Sequence, residues 1–161
     1  MNKTTGAGEI RKPRVTEVPD LKRLVDMGVA SGALLPRTAG ELYESLRDFQ
    51  VYVVDGRIEG CCALHVDMMD LAEIRTLLVA EHLRGAHIGA GLLRACMDEA
   101  RELGLPRLYA LTRVSGFFKK HGFREIDKHE LPHKVFRDCV RCPLFPDCDE
   151  VALIHDLEAA L

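Results

Sequence analysis

Residues 77–93, Leu-Leu-Val-Ala-Glu-His-Leu-Arg-Gly-Ala-His-Ile-Gly-Ala-Gly-Leu-Leu, constrain the fold more than any other part of the chain. An apolar, strand-like run feeds a loop of small residues that opens directly into a helix. The first backbone N–H groups of a helix have no intrahelical acceptor, and the helix dipole adds partial positive charge there. Small residues let a pyrophosphate come close to those amides, and Arg84 adds a full charge. No Gly-Lys-Ser/Thr is present, so this is not a nucleotide P-loop. An ordinary strand-to-helix turn, in which the glycines only ease packing, would use the same residues.

The rest of the chain sets the frame for that unit. At 161 residues, 47% apolar and 29% charged, it has the balance of one soluble domain with a real core. The net charge of −3 argues against a nucleic-acid protein, which would show a basic face or stripe. No apolar run reaches the roughly 20 residues that a membrane helix needs. Residues 1–13 are polar, without the apolar core of a signal peptide, and read as a flexible tail before a single domain over 14–161. The expected compartment is therefore the cytosol, where the six cysteines would be thiols, metal ligands or redox switches rather than structural disulfides. The expected partners are small molecules, with neither nucleic acid nor membrane; a homodimer stays open.

Residues 14–18 can form a first strand, and Pro19-Asp20 opens a helix with Leu21, Leu24, Val25 and Val29 at helical spacing. Ser31-Gly32 ends it, 33–38 is a loop, and 39–48 reads as a second helix. Strands over 50–54 and 58–66 meet at Asp55-Gly56, a strong hairpin signal. A third strand, 71–80, puts Leu71, Glu73, Arg75, Leu77 and Val79 on one face unless a bulge intervenes. The long helix, 85–103, buries Ile88, Leu92, Leu93, Cys96, Ala100 and Leu103. A strand at 107–112, a short helix at 115–121 and strands at 123–126 and 151–157 complete the order. Early hairpins followed by a β-α-β crossover predict an α/β (α+β) fold, a mixed sheet with helices packed on it.

With those elements in place, the chain resembles the GNAT acyl-CoA N-acyltransferases. Arg84-Gly85-Ala86-His87-Ile88-Gly89, with Ala90 beyond it, is similar to their pyrophosphate-binding loop. Leu77, Leu78 and Val79 are similar to the family's fourth strand, whose backbone pairs with the pantetheine arm. His87 stands where the family usually has glycine. Residues 117–123 resemble the later segment that ends in Gly-Phe, but Phe118 occupies the position of the tyrosine that in many members protonates the departing thiolate. The resemblance implies acetyl-CoA as co-substrate and a thioester oxygen polarised by a backbone N–H near Leu78 or Val79.

Within the family, residues 15–157 resemble the short form of N-acetylglutamate synthase. Residues 32–38 and 46–49, 72–77 and 111–118 carry that resemblance. It implies acetyl transfer to the α-amino group of L-glutamate, with glutamine open, as in the first step of arginine biosynthesis. Two carboxylates call for two or more cations, preferably guanidinium forks. The resemblance gives that role to Arg37 and Arg113, with Arg75 a close third, around one cleft. Any single arginine could equally be a solvated surface charge. Glu73 is the candidate general base for a substrate ammonium, or else the partner of a nearby cation.

Cys139, Cys142 and Cys148 have a spacing compatible with zinc, with His133, Asp149 and His155 nearby. Only three cysteines are local, and a structural site needs four ligands, so a loop of reduced thiols fits as well. Cys61-Cys62 sits in a strand and is most simply core. Two alternatives stand beside the leading one: a GNAT enzyme for another amino acid or amine, and a non-catalytic coenzyme-A-binding sensor with the cysteines as its switch.

Overall fold

Asp55 and Gly56 have φ of 52° and 72°. Positive φ at both central positions is what a type I′ turn requires, and its twist matches that of the strands it joins. The turn links β2 (Phe49–Val54) to β3 (Arg57–Met68) in antiparallel register, with Phe49 opposite Ala63. A register shift between Tyr52 and Val53 marks a bulge. This hairpin is seen in a computed structural model that describes residues 7–132 and 149–157.

The other strands are β1 (Glu9–Arg11), β4 (Leu71–Val79), β5 (Arg107–Thr112), β6 (Arg124–Ile126) and β7 (Val151–Asp156). Hydrogen bonding orders them β1-β2-β3-β4-β5-β7-β6. The helices are α1 (Val18–Ala30), α2 (Ala39–Glu44), α3 (Ile88–Glu102) and α4 (Ser115–Lys120). Element types follow the expected sequence, and the mixed sheet with helices is present: β4 and β5 pair in parallel and β5 and β7 antiparallel.

Several boundaries move. The first strand is Glu9–Arg11, inside the stretch read as a tail, and pairs antiparallel with β2. Residues 15–17, expected as strand, form a 3-10 turn leading into α1. Pro19 decides this: its fixed φ suits the first turn of a helix. Helix α3 begins at Ile88, not 85, because Gly85 and His87 both have positive φ. It ends at Glu102, which leaves Leu103 59% exposed and outside the buried stripe.

The chain divides into two compact units. The first comprises Met1–Leu64 and Ile74–Glu99. Its core joins Leu21, Leu24 and Val25 of α1 to Leu42, Phe49, Val51, Ile58, Cys61 and Leu78. Gly60 of β3 lets α3 come close: a Cβ there would stand 3.0 Å from Leu92 and 3.5 Å from Ile88. The second unit comprises His65–Glu73 and Ala100–Leu161. Leu71, Tyr109, Leu131, Ala152 and Ile154 form its apolar cluster.

Within the first unit, α1 is tied to the hairpin by polar side chains. Asp20 Oδ2 accepts from the Ile58 N–H at 2.7 Å, and Arg23 Nη2 donates to the Ile58 carbonyl at 2.6 Å. Arg23 Nε also donates to Asp20 Oδ1 at 2.7 Å, so each side chain orients the other. Ile58 is fully buried. Asp20→Ala deprives a buried N–H of its acceptor and should cost about 1–3 kcal/mol. Asp20→Asn keeps an acceptor and should cost less. Urea midpoints check the order; equal midpoints for Asp20→Ala and wild type would refute it.

Candidate functional site

The loop after β4 belongs to the first unit. Beyond Val79 a 3-10 turn, Glu81–Leu83, leads through Arg84 to Gly85 at φ 87° and His87 at φ 61°. Helix α3 follows at once. The bend therefore uses the left-handed conformation twice, once at a glycine and once at a histidine. Histidine visits that region more readily than most residues, although at some cost. The conformation that glycine would favour at position 87 is thus adopted by His87 itself. Gly89 and Ala90 lie in the first turn of α3 and are half-buried, whereas Gly85, Ala86 and His87 are exposed. Arg84 is exposed and its Nε lies 3.4 Å from the Val79 carbonyl. The arrangement offers small residues, one guanidinium and the first amides of a fifteen-residue helix, features that suit a pyrophosphate.

Upstream, β4 is not a regular strand. Thr76 has φ 56°, a strained conformation for a β-branched residue. Its carbonyl accepts a bond from Cys61 Sγ at 3.2 Å. Ala72 and Ile74 are buried while Glu73 and Arg75 are half-buried, the alternation expected of a strand. Thr76 is itself half-buried, yet the alternation keeps its parity beyond it, with Ala80 buried as well. Leu77 and Val79 are half-buried and Leu78 is buried.

In the second unit, the β4–β5 register sets Glu73 opposite Tyr109. Tyr109 is 1% exposed, yet its hydroxyl meets two carboxylates. It donates to Asp67 Oδ2 at 2.5 Å, the length of a charge-assisted bond. Glu73 Oε2 lies 3.4 Å from the same Tyr109 hydroxyl oxygen. Burial, then the Glu73 charge, then the bond to Asp67 push the phenol far above its ordinary range, so Tyr109 stays protonated. His65 Nε2 is 3.9 Å from Asp67 Oδ1; its side chain is 36% exposed, against 11% for Asp67. Sequence reasoning singled out Glu73 and missed Asp67 and Tyr109. The available signal was a tyrosine inside the buried strand Arg107–Thr112, since a buried phenol needs a partner.

The arginines are distributed over both units. Arg37 precedes Thr38, the N-cap of α2, whose start is fixed by a capping box: Thr38 Oγ1 accepts from the Glu41 N–H, and Glu41 accepts from the Thr38 N–H. Arg75 lies on β4 in the first unit. Arg113 follows β5 in the second unit, and its Nε donates to Asp149 Oδ1 at 2.7 Å. The guanidinium holds the Asp149 carboxyl below its usual range. Phe118 is buried, edge-on to Phe117 and Phe123, as an apolar ring should be. Cys61 and Cys62 are both fully buried core residues. Cys139, Cys142, Cys148 and His133 lie outside the described residues. No described helix is long and apolar enough to cross a membrane.

Comparison with known proteins adds to this geometry. Residues 47–125 match the acetyltransferase (GNAT) domain model. An uncharacterized N-acetyltransferase of Chlorobaculum tepidum is 36% identical over 92% of this chain and 96% of its own length. An amino-acid acetyltransferase of Mycobacterium tuberculosis is 37% identical over 82% of this chain and 77% of its own. The N-acetylglutamate synthase of Neisseria gonorrhoeae, solved with coenzyme A and N-acetyl-glutamate, superposes with a TM-score of 0.85 at 27% identity. That match covers 95% of this chain but 36% of the synthase, so the chain spans about a third of it.

The left-handed histidine can be tested by stability alone. His87→Gly removes the steric cost of positive φ but adds glycine's backbone entropy, for a net gain of about 0.5–1 kcal/mol. The melting temperature should rise by roughly 1–4 °C. His87→Val should melt below wild type, because a branched Cβ fits that conformation poorly. Equal melting of the glycine and valine variants would contradict the assigned loop geometry.

Proposed function

The chain belongs to the GNAT acetyltransferase family, and from that premise we propose that it transfers the acetyl group of acetyl-CoA to the α-amino group of an amino acid, L-glutamate first. The observation that carries this reading is the 84–90 loop. Two positive-φ residues, Gly85 and His87, turn the chain directly into α3, and the small residues Gly85 and Ala86 are exposed just ahead of its first amides. Arg84, Gly85, Ala86, His87, Ile88, Gly89 and Ala90 would hold the pyrophosphate, and the backbone of Leu77, Leu78 and Val79 the pantetheine arm. Acetyl-CoA supplies an activated acetyl thioester, so the protein has to position an amine and remove its proton.

Glu73 is the base in this reading. A substrate ammonium must lose a proton before it can attack, and Glu73 is a half-buried carboxylate on β4. The proton passes to Glu73 directly or through one water. A backbone N–H near Leu78 or Val79 is the donor toward the thioester oxygen. With Phe118 buried and without an ionisable proton, the departing thiolate leaves unassisted or takes its proton from water.

Glutamate is favoured by the names of two relatives, the amino-acid acetyltransferase and the N-acetylglutamate synthase, and by the arginines at 37, 75 and 113. Arg37 and Arg113 bind acceptor carboxylates, with Arg75 in support. The bond from Arg113 to Asp149 joins two exposed side chains, so exchanging Asp149 for a substrate carboxylate costs little. Such synthesis of N-acetylglutamate would serve arginine formation.

Thiol release with glutamate, glutamine, aspartate and lysine, beside calorimetric titration with acetyl-CoA, tests the assignment. Glutamate should lead, with glutamine second. Strong release with lysine alone would move the chain to another branch of the family. Binding of acetyl-CoA with no release from any acceptor would make the protein a coenzyme-A sensor. Glu73→Gln should lower kcat by about 10² or more near neutral pH, and by less at high pH, where free amine is abundant. A loss equal at every pH would make Glu73 structural. Arg37→Ala and Arg113→Ala should each raise the glutamate KM roughly 10- to 150-fold, the loss of one charge-assisted bond, with the acetyl-CoA KM nearly unchanged.

A further inference from the structure

The hydroxyl of Tyr109 stands between Asp67 and Glu73, 2.5 Å from one carboxylate oxygen and 3.4 Å from the other. A phenol carries one proton and ionised carboxylates only accept. The two contacts therefore hold one proton for two acceptors, and it is committed to Asp67. The ring is packed among Leu71, Leu131, Ala152 and Ile154, and the hydroxyl does not reach solvent as an ordinary surface tyrosine would. Among the described residues, the groups facing this hydroxyl include Asp67 from β3 and Glu73 from β4, with His65 of β3 beyond Asp67 on the exposed side.

Resting on Glu73 as base, we propose that Tyr109 is a proton-relay residue that carries the proton taken by Glu73 to Asp67. The step balances without any further reagent. After accepting a proton from the substrate ammonium, the Glu73 carboxyl donates it to the phenolic oxygen. The existing O–H bond of Tyr109 breaks toward Asp67 Oδ2 in the same motion. Tyr109 is neutral before and after, Glu73 is again a carboxylate, and Asp67 carries the proton. Asp67 then loses it on the side of His65, whose ring is the more exposed group. The high pKa of the phenol fits this role, because a relay that ionised would trap the proton deficit at its centre.

Tyr109→Phe keeps the ring in its apolar cluster and removes only the hydroxyl. With the amino acid that gives the greatest thiol release, kcat should fall about tenfold or more while both KM values stay within about twofold. The acid limb of the kcat–pH profile should move to higher pH, because two carboxylates would then face each other without the hydroxyl. Mixtures of light and heavy water should give a bowed proton inventory in wild type and a straight one in Tyr109→Phe. Asp67→Asn should lose a similar factor, and the double variant should be no slower than the slower single. Tyr109→Phe that melts like wild type, with unchanged kcat and pH profile, overturns the relay. Should that variant fail to fold, wild-type kcat in Asp67→Asn overturns it instead. Glu73→Gln separates the two readings. If it is inactive while the other two are normal, only the relay falls; if it is fully active, base and relay fall together.

Discussion

The parallel pairing of β4 with β5 is the constraint from which the rest follows. Parallel neighbours cannot be joined by a tight turn, so a crossover has to carry the chain from the end of one to the start of the other. That crossover is α3, and its N-terminus consequently opens just beyond the end of β4. The same pairing sets Ala72 beside Leu108 and Glu73 beside Tyr109. That register places a carboxylate beside a buried phenol. Shifting it by one residue would turn Tyr109 to the other face and remove it from both carboxylates.

Glycine and its substitutes shape the approach to that helix. Gly60 leaves room for Ile88 and Leu92, so α3 lies close on β3. Gly85 supplies one left-handed turn at no steric cost. His87 and Thr76 adopt the same conformation with full side chains, and tertiary structure must over-determine them for that to persist. For Thr76 one contact is visible, the bond from the buried Cys61 thiol to its carbonyl. Strain of this sort gathers where backbone amides have to be aimed rather than merely paired, and both residues flank the end of β4.

How much of this was legible in the sequence depended on the range of the interaction. Local chemistry was legible: Asp55-Gly56 as a hairpin, Pro19 as a helix opener, and the small-residue loop before α3. Here residues within a few positions of each other decide the backbone. The first strand was misplaced because Glu9–Arg11 is three residues long and mostly polar; its pairing with Val51–Val53 makes it a strand, not its composition. The Asp67–Tyr109–Glu73 group was legible only at Glu73. A carboxylate in an apolar strand is unusual by itself, whereas Asp67 and Tyr109 lie 42 positions apart and meet through strand pairing alone.

The chemistry of that group also bears on the residue at 118. A tyrosine there would end the reaction by protonating a thiolate, a task for a phenol of ordinary acidity. Tyr109 cannot substitute for it, since burial and two carboxylates hold its proton far more tightly than a free phenol would. In the proposed reading Phe118 offers no proton donor and Tyr109 acts as a proton conductor, and these are different functions. A donor must become anionic, so it needs an environment that tolerates charge. A conductor never does, so it can sit 1% exposed between two carboxylates. In the proposed reading, the buried ring of Phe118 and the buried hydroxyl of Tyr109 point the same way: the protein would manage the proton of the incoming amine and leave that of the departing thiolate to solvent.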